Sequence, residues 1–207
     1  MTPDRNLGLT TLGLSQTMRG RNYRSMIRYL CPNECLASLL DVDLDKLRYK
    51  GFRGIILDID NTLLAWADDE LDQSVLAWVR RAKAAGFQLC LTSNALRERV
   101  LRVAGALDIP AIAGAIKPRK KPFRQALELL GTAPGETIGI GDQLFTDILG
   151  GNRMDLYTIL IDPVATEELA ATKVMRSLER RVIRRLSRKG YISERAAQRR
   201  LAAGRRQ

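Results

Sequence analysis

Across the middle of this chain, five short β-type runs alternate with segments of helical length, and polar residues follow the first four. The runs are Gly54–Ile59, Phe87–Thr92, Pro110–Ala113, Thr137–Gly141 and Leu156–Ile161. The first reads as a buried strand and the others as its partners. Helices are expected from Asp72 to Ala85 with Gly86 as the stop, from Ala95 to Ala106 with Asn94 as the cap, from Pro118 to Leu130 ended by Gly131, and from Leu144 to about Asn152. Such alternation requires crossover connections. The fold class is therefore α/β with a central parallel sheet, and ligands belong at the carboxyl ends of its strands. Residues 51–165 form this core. Residues 1–50 form an extension, with a short helix expected around Glu34–Leu40, that packs on the sheet edge or leads to a surface. Residues 166–207 form a tail.

Four polar clusters fall where strands end. Asp58-Ile59-Asp60-Asn61-Thr62 follows the first, Thr92-Ser93-Asn94 the second, Lys117-Pro118 the third, and Gly141-Asp142-Gln143 the fourth, with Asp147 five residues past Asp142. In a parallel sheet these ends converge. Carboxylates a few ångströms apart repel, and at least one would be driven toward its protonated form unless a cation joined them. Hard oxygen ligands in small number suit Mg²⁺, which keeps several waters and accepts a phosphate oxygen. The Lys117 ammonium would offset the remaining negative charge.

Composition removes the competing chemistries. The chain has no histidine, so serine–histidine, cysteine–histidine and phosphohistidine catalysis are excluded. Three cysteines, Cys31, Cys35 and Cys90, are too few for a disulfide framework, and Cys31/Cys35 lack partners for a zinc site. No run of eighteen apolar residues exists, and Leu7–Leu12 is too polar for a signal-peptide core. A cytoplasmic location is expected.

In order and type, the clusters resemble the haloacid dehalogenase (HAD) superfamily, whose D-x-D-x-T signature matches Asp58 to Thr62 and whose G-D-x-x-x-x-D matches Gly141 to Asp147. The resemblance spans residues 50–162 and implies a Rossmann-like three-layer fold. It implies Asp58 as the nucleophile that takes the phosphoryl group and Asp60 as general acid and then base. Ser93, or Thr92 one residue earlier, would bind the phosphoryl oxygens, and Lys117 would stabilise the developing charge. Thr62 and Asn94 are further candidates for substrate contact. Asp58, the carbonyl of Asp60, Asp142 and Asp147 would hold Mg²⁺. Taken singly, each has a structural reading: a turn aspartate, a helix cap at Ser93-Asn94, a solvated loop at Lys117–Lys121, a surface aspartate at 147. The ordered set points to chemistry.

The intervals Asp60–Ser93 and Ser93–Lys117 hold only a short flap (Leu63–Leu71), one helix and one strand, or one helix and one strand. Neither admits a cap domain, so the fold is capless and the crevice open to a macromolecular or membrane-borne phosphate. Gly141-Asp142-Gln143-Leu144-Phe145-Thr146-Asp147-Ile148-Leu149-Gly150-Gly151-Asn152-Arg153, with Leu30-Cys31-Pro32 and Leu36–Leu47, looks like the YqeG-type branch of subfamily IIIA. Relatives there dephosphorylate phosphatidylglycerophosphate, which implies a phospholipid substrate. Other readings are a phosphatase on phosphoproteins or nucleic-acid ends, and a binding module for RNA or the ribosome.

The net charge of +11 lies wholly in residues 173–207, where 13 basic residues face only Glu179 and Glu194. Met175, Leu178, Val182 and Leu186 recur at helical spacing among arginines. Such a helix either docks on an anionic membrane, as a peripheral protein on the inner face, or packs back on its own domain with the arginines solvated. Nucleic acid attracts the same charges, but Tyr191 is the only aromatic after Gly190.

Overall fold

A computed structural model of the chain describes residues 26–65, 68, 70–165 and 170–203. The first 25 residues of the extension, positions 66, 67 and 69 of the flap, residues 166–169, and the last four residues of the tail lie outside the described residues.

Among the described residues, six strands form one sheet: β1 (Glu34–Leu36), β2 (Gly54–Leu57), β3 (Gln88–Thr92), β4 (Ala111–Ile112), β5 (Thr137–Gly141) and β6 (Tyr157–Ile161). Their order is β1-β6-β5-β2-β3-β4, and every neighbouring pair is parallel. β2 lies at the centre, with Leu57 level with Ile140 of β5 and Leu91 of β3. Residues just past the ends of β2 and β5, and at the end of β3, therefore lie side by side.

Seven α-helices are described: α1 (Leu44–Tyr49), α2 (Gln73–Ala84), α3 (Arg97–Leu107), α4 (Lys120–Leu130), α5 (Leu149–Asn152), α6 (Ala170–Arg188) and α7 (Glu194–Ala203). Strand residues alternate between the two faces. Ile55, Leu57, Leu89 and Leu91 join Val75, Trp78, Val100 and Val103 of α2 and α3 in one core cluster. Ile56 and Cys90 join Phe123, Ala126 and Leu127 of α4 in another. The result is the three-layer arrangement. Asp72 caps α2 by accepting from the Ser74 N–H at 2.7 Å, and α4 ends at Gly131, whose φ of 62° is left-handed. No inserted cap domain is present among the described residues.

Three local expectations are corrected. Glu34–Leu40 is not a helix: Glu34–Leu36 is the edge strand β1, paired with β6, and a 3₁₀ turn (Leu39–Asp41) follows under a Ser38 cap. A three-residue strand is too short to show a period, and its pairing with β6 outweighs helix propensity. Asn94 does not cap α3, which starts at Arg97 behind Leu96 without a side-chain cap. Leu144–Asn152 is not one regular helix, because Leu144–Ile148 is a π-helical turn leading into α5.

The tail packs on the core. Ile183 and Leu186 of α6 are buried with Leu144, Ile148 and Leu160, each contributing about 1.5–3 kcal/mol. Of the stripe read from sequence, Leu186 is buried and Val182 half-buried, while Met175 and Leu178 are exposed.

Candidate active site

The site lies past the carboxyl ends of β2, β3 and β5. Asp58 directly follows β2, and its N–H donates to the Ile140 carbonyl at 3.0 Å, continuing the ladder to β5. Asn61 takes the left-handed conformation (φ 58°), which turns the chain sharply after Asp60. Asparagine tolerates that region better than most side chains. The turn brings Thr62 Oγ1 to 3.5 Å from Asp58 Oδ2.

Lys117 is the hub. Its Nζ donates to Asp58 Oδ1 at 2.5 Å and to Asp147 Oδ1 at 2.6 Å. All three side chains are at least nine-tenths buried. Asn94, expected near substrate, spends its side-chain oxygen on the Lys117 N–H at 2.8 Å and so fixes the loop that delivers the lysine. Asp147 is aimed by the π-helical turn, and its Oδ2 accepts from the Gln143 N–H at 3.2 Å and from Thr146 Oγ1 at 3.3 Å. Gly141 makes room for it: a Cβ there would overlap the Asp147 carboxylate.

Asp142 is fully buried. Its Oδ2 accepts from Arg176 of α6, while its Oδ1 is buried without a partner. Asp58, Asp142 and Asp147 each offer an oxygen within 4.8 Å of the others. Carboxylates gathered this closely repel one another. Burial first, and then the carboxylates of Asp147 and Asp142, raise the Asp58 carboxyl well above its ordinary range against the pull of Lys117. Burial also pushes Asp142 up to about 6, with Arg176 opposing and Asp147 adding. Burial works against the Lys117 cation, but Asp147 and Asp58 together hold it above its usual range. A divalent cation relieves this crowding, and three carboxylates with one unpartnered oxygen fit its needs.

The remaining expected residues are nearby but differently engaged. Thr92 faces the same side as Asp58 and, with Asp58, Lys117 and Asp147, lines a cavity of about 10 Å³; its hydroxyl is buried. Ser93 is fully buried, and its Oγ accepts from the Ala95 N–H at 3.0 Å. Of the two readings of the hydroxyl position, Thr92 lines the cavity and Ser93 is not among its lining residues. The Asp60 carboxylate stands apart from the three-aspartate cluster and accepts from Arg99 Nε at 2.9 Å. Neither Arg99 nor Arg176, Glu179 and Arg200, which surround Asp142, stood out in the sequence. In a chain with 34 basic residues, nothing local separates a paired arginine from a solvated one.

Comparison with known proteins gives the family. The chain belongs to the haloacid dehalogenase-like hydrolases, whose family model matches residues 64–155, and it is a phosphatase of that family, a phosphoric monoester hydrolase. "Probable phosphatase YqeG" of Bacillus subtilis is 35% identical over 165 residues, covering 80% of this chain and 96% of that protein. The chloroplastic/mitochondrial phosphatidylglycerophosphate phosphatase 1 of Arabidopsis thaliana is 31% identical over 79% of this chain, which spans only half of that protein. Among solved structures, the cobalt-bound deoxy-D-mannose-octulosonate 8-phosphate phosphatase of Haemophilus influenzae aligns over 63% of this chain and 77% of its own, with 15% identity and a TM-score of 0.46. No described helix is long and apolar enough to cross a membrane.

Proposed function

We propose that the protein is a Mg²⁺-dependent phosphatase that works through a phosphoryl ester on Asp58 and acts on phosphatidylglycerophosphate. The observation that carries the chemistry is Asp58 held 2.5 Å from Lys117 beside Asp142 and Asp147. Asp58, Asp142 and Asp147, with the Asp60 carbonyl, would hold the cation, which when bound neutralises the carboxylates and polarises a phosphoryl oxygen.

The chain's own groups perform the rest. The Asp58 carboxylate attacks phosphorus, a P–O(Asp58) bond forms, and the bond to the leaving alkoxide breaks. Asp60 gives that alkoxide its proton. Lys117 and a hydroxyl from Ser93 or Thr92 stabilise charge on the transferring group. Asp60 then takes a proton from water, whose oxygen attacks the phosphorus. The P–O(Asp58) bond breaks, and Asp58 and inorganic phosphate are released.

For a lipid substrate, support comes from the plant relative, a phosphatidylglycerophosphate phosphatase, and from the capless opening. Exposed Leu96, Ile116 and Val164 lie on loops at the carboxyl ends of the strands. Val164 is tied to Asn61 by a backbone bond of 3.0 Å. α6 adds exposed Met175 and Leu178, with Arg181, Arg184, Arg185 and Arg188 further along. Each basic group near an anionic leaflet contributes roughly 1 kcal/mol. The protein would work as a peripheral enzyme on the inner face of the membrane.

The test is phosphate release from phosphatidylglycerophosphate in anionic vesicles, beside a phosphopeptide, 5′- and 3′-phosphorylated oligonucleotides and a sugar phosphate. Release from the lipid that needs Mg²⁺ and Asp58 is expected. Preference for another substrate rejects the lipid, and an Asp58→Asn variant as active as the wild type rejects the mechanism.

A further inference from the structure

The sheet is complete without α6 and α7, yet these helices supply the groups that surround Asp142. Arg176 donates to Asp142 Oδ2 and, through Nη1, to the carbonyl of the same residue at 3.0 Å. Arg200 donates to that carbonyl as well, and to the Ile161 carbonyl at 2.6 Å. Glu179 joins the two arginines: its Oε2 is 3.0 Å from Arg176 Nη1 and 3.6 Å from Arg200 Nη2, while its Oε1 accepts from the Leu144 N–H at 2.7 Å. Glu179 is 2% exposed and Arg200 9%, so the network is shielded from water, where paired groups interact most strongly.

We propose that Arg176 is a positioning residue for the bound cation, held in place by Glu179 and Arg200. A guanidinium that grips both the carboxylate and the carbonyl of one residue fixes the torsion between them. Oδ2 is thereby engaged, and the unpartnered Oδ1 is left for the metal. The opposite expectation is that a neighbouring positive charge weakens cation binding. Glu179, 3.0 Å from Arg176 and 3.6 Å from Arg200, offsets part of that charge, and the grip on the Asp142 carboxylate and carbonyl is what orients the free Oδ1. Partners of metal ligands set ligand geometry in this way, and their loss commonly costs about 10-fold or more in metal affinity.

This inference rests on the cation-dependent reading of the site but not on the lipid substrate. The test is calorimetric titration of the full chain with Mg²⁺ and Mn²⁺ for wild type, Arg176→Ala and Arg176→Lys, with circular dichroism to confirm folding. Arg176→Ala is expected to bind cation about 10-fold more weakly, and Arg176→Lys, which keeps one bond but not the two-point grip, in between. The lost turnover should return when cation is raised to saturation, which a merely structural defect would not permit. An Arg176→Ala affinity equal to or tighter than wild type overturns the proposal. Should that variant not fold, Arg176→Lys decides: weaker binding at an unchanged melting temperature supports the proposal, and unchanged binding overturns it. Wild type that binds no divalent cation removes the metal reading itself. Failure on lipid alone, with cation binding intact, rejects only the substrate.

Discussion

Arg99 and Asp60 are joined at 2.9 Å, and the same guanidinium reaches the carbonyls of Ala65 at 2.9 Å and Asp68 at 2.7 Å. One side chain of α3 thus sets both the carboxylate that handles protons in the proposed cycle and the segment that follows it. Arg99→Ala should lower kcat about 10-fold, less than the roughly 100-fold or more that general acid–base catalysis contributes, because Asp60 is displaced and not removed. It should also make the segment near Ala65–Asp68 quicker to cleave in limited proteolysis. Unchanged kcat with faster cleavage would show that the arginine serves the segment alone.

Asp58→Asn should separate activity from stability. Turnover should fall by at least about 1000-fold if Asp58 is the nucleophile. The metal-free protein should melt a few degrees higher, about 2–4 °C for each kcal/mol gained, because burial and the neighbouring carboxylates disfavour the Asp58 charge. Calorimetric melting in EDTA checks this. A lower melting temperature would mean that the bond to Lys117 outweighs the cost of burial.

Asp142 gives the metal-free protein a defined pH response. Its folded value of about 6 lies above the unfolded value near 3.9, so the folded state binds the proton more tightly. The group therefore favours folding most below about pH 4, and that contribution is lost as pH rises through 6. Urea unfolding in EDTA, at pH 4 and pH 7, should show wild type losing on the order of 2 kcal/mol relative to Asp142→Asn. A difference that does not change with pH would refute the assignment.

Gly141→Ala tests the close approach inside the site. The added methyl would meet Asp147 rather than solvent, and overpacking of this kind costs typically about 1–3 kcal/mol. Displacement of Asp147 from Lys117 should remove most activity while circular dichroism stays native. Gly135→Ala, where an added Cβ meets nothing, should be close to neutral.

The central strands and the convergence of Asp58, Lys117, Asp142 and Asp147 were legible because both follow from local rules. β-branched runs between glycines make strands, and parallel order brings their ends together. β5 spans the expected residues, Thr137–Gly141. What escaped depends on distant partners. β1 is a strand because β6 lies beside it. Asn94 serves the Lys117 N–H, 23 residues away, instead of a helix. Arg176 and Arg200 meet Asp142 from 34 and 58 residues further on, and no spacing rule links positions so far apart.

The tail's arginines also reach the outside world in smaller number than a tally suggests. Of the 13 basic residues in positions 173–207, Arg176, Arg199 and Arg200 are committed inward, to Asp142, Asp162 and Glu179. Among the described residues, an approaching phosphate-rich surface would meet the exposed Arg181, Arg184, Arg185 and Arg188 of α6. The sensitivity of any such encounter to ionic strength should track Arg181, Arg184, Arg185 and Arg188, while exchanging Arg176 or Arg200 would disturb the catalytic pocket before it altered attraction at a distance.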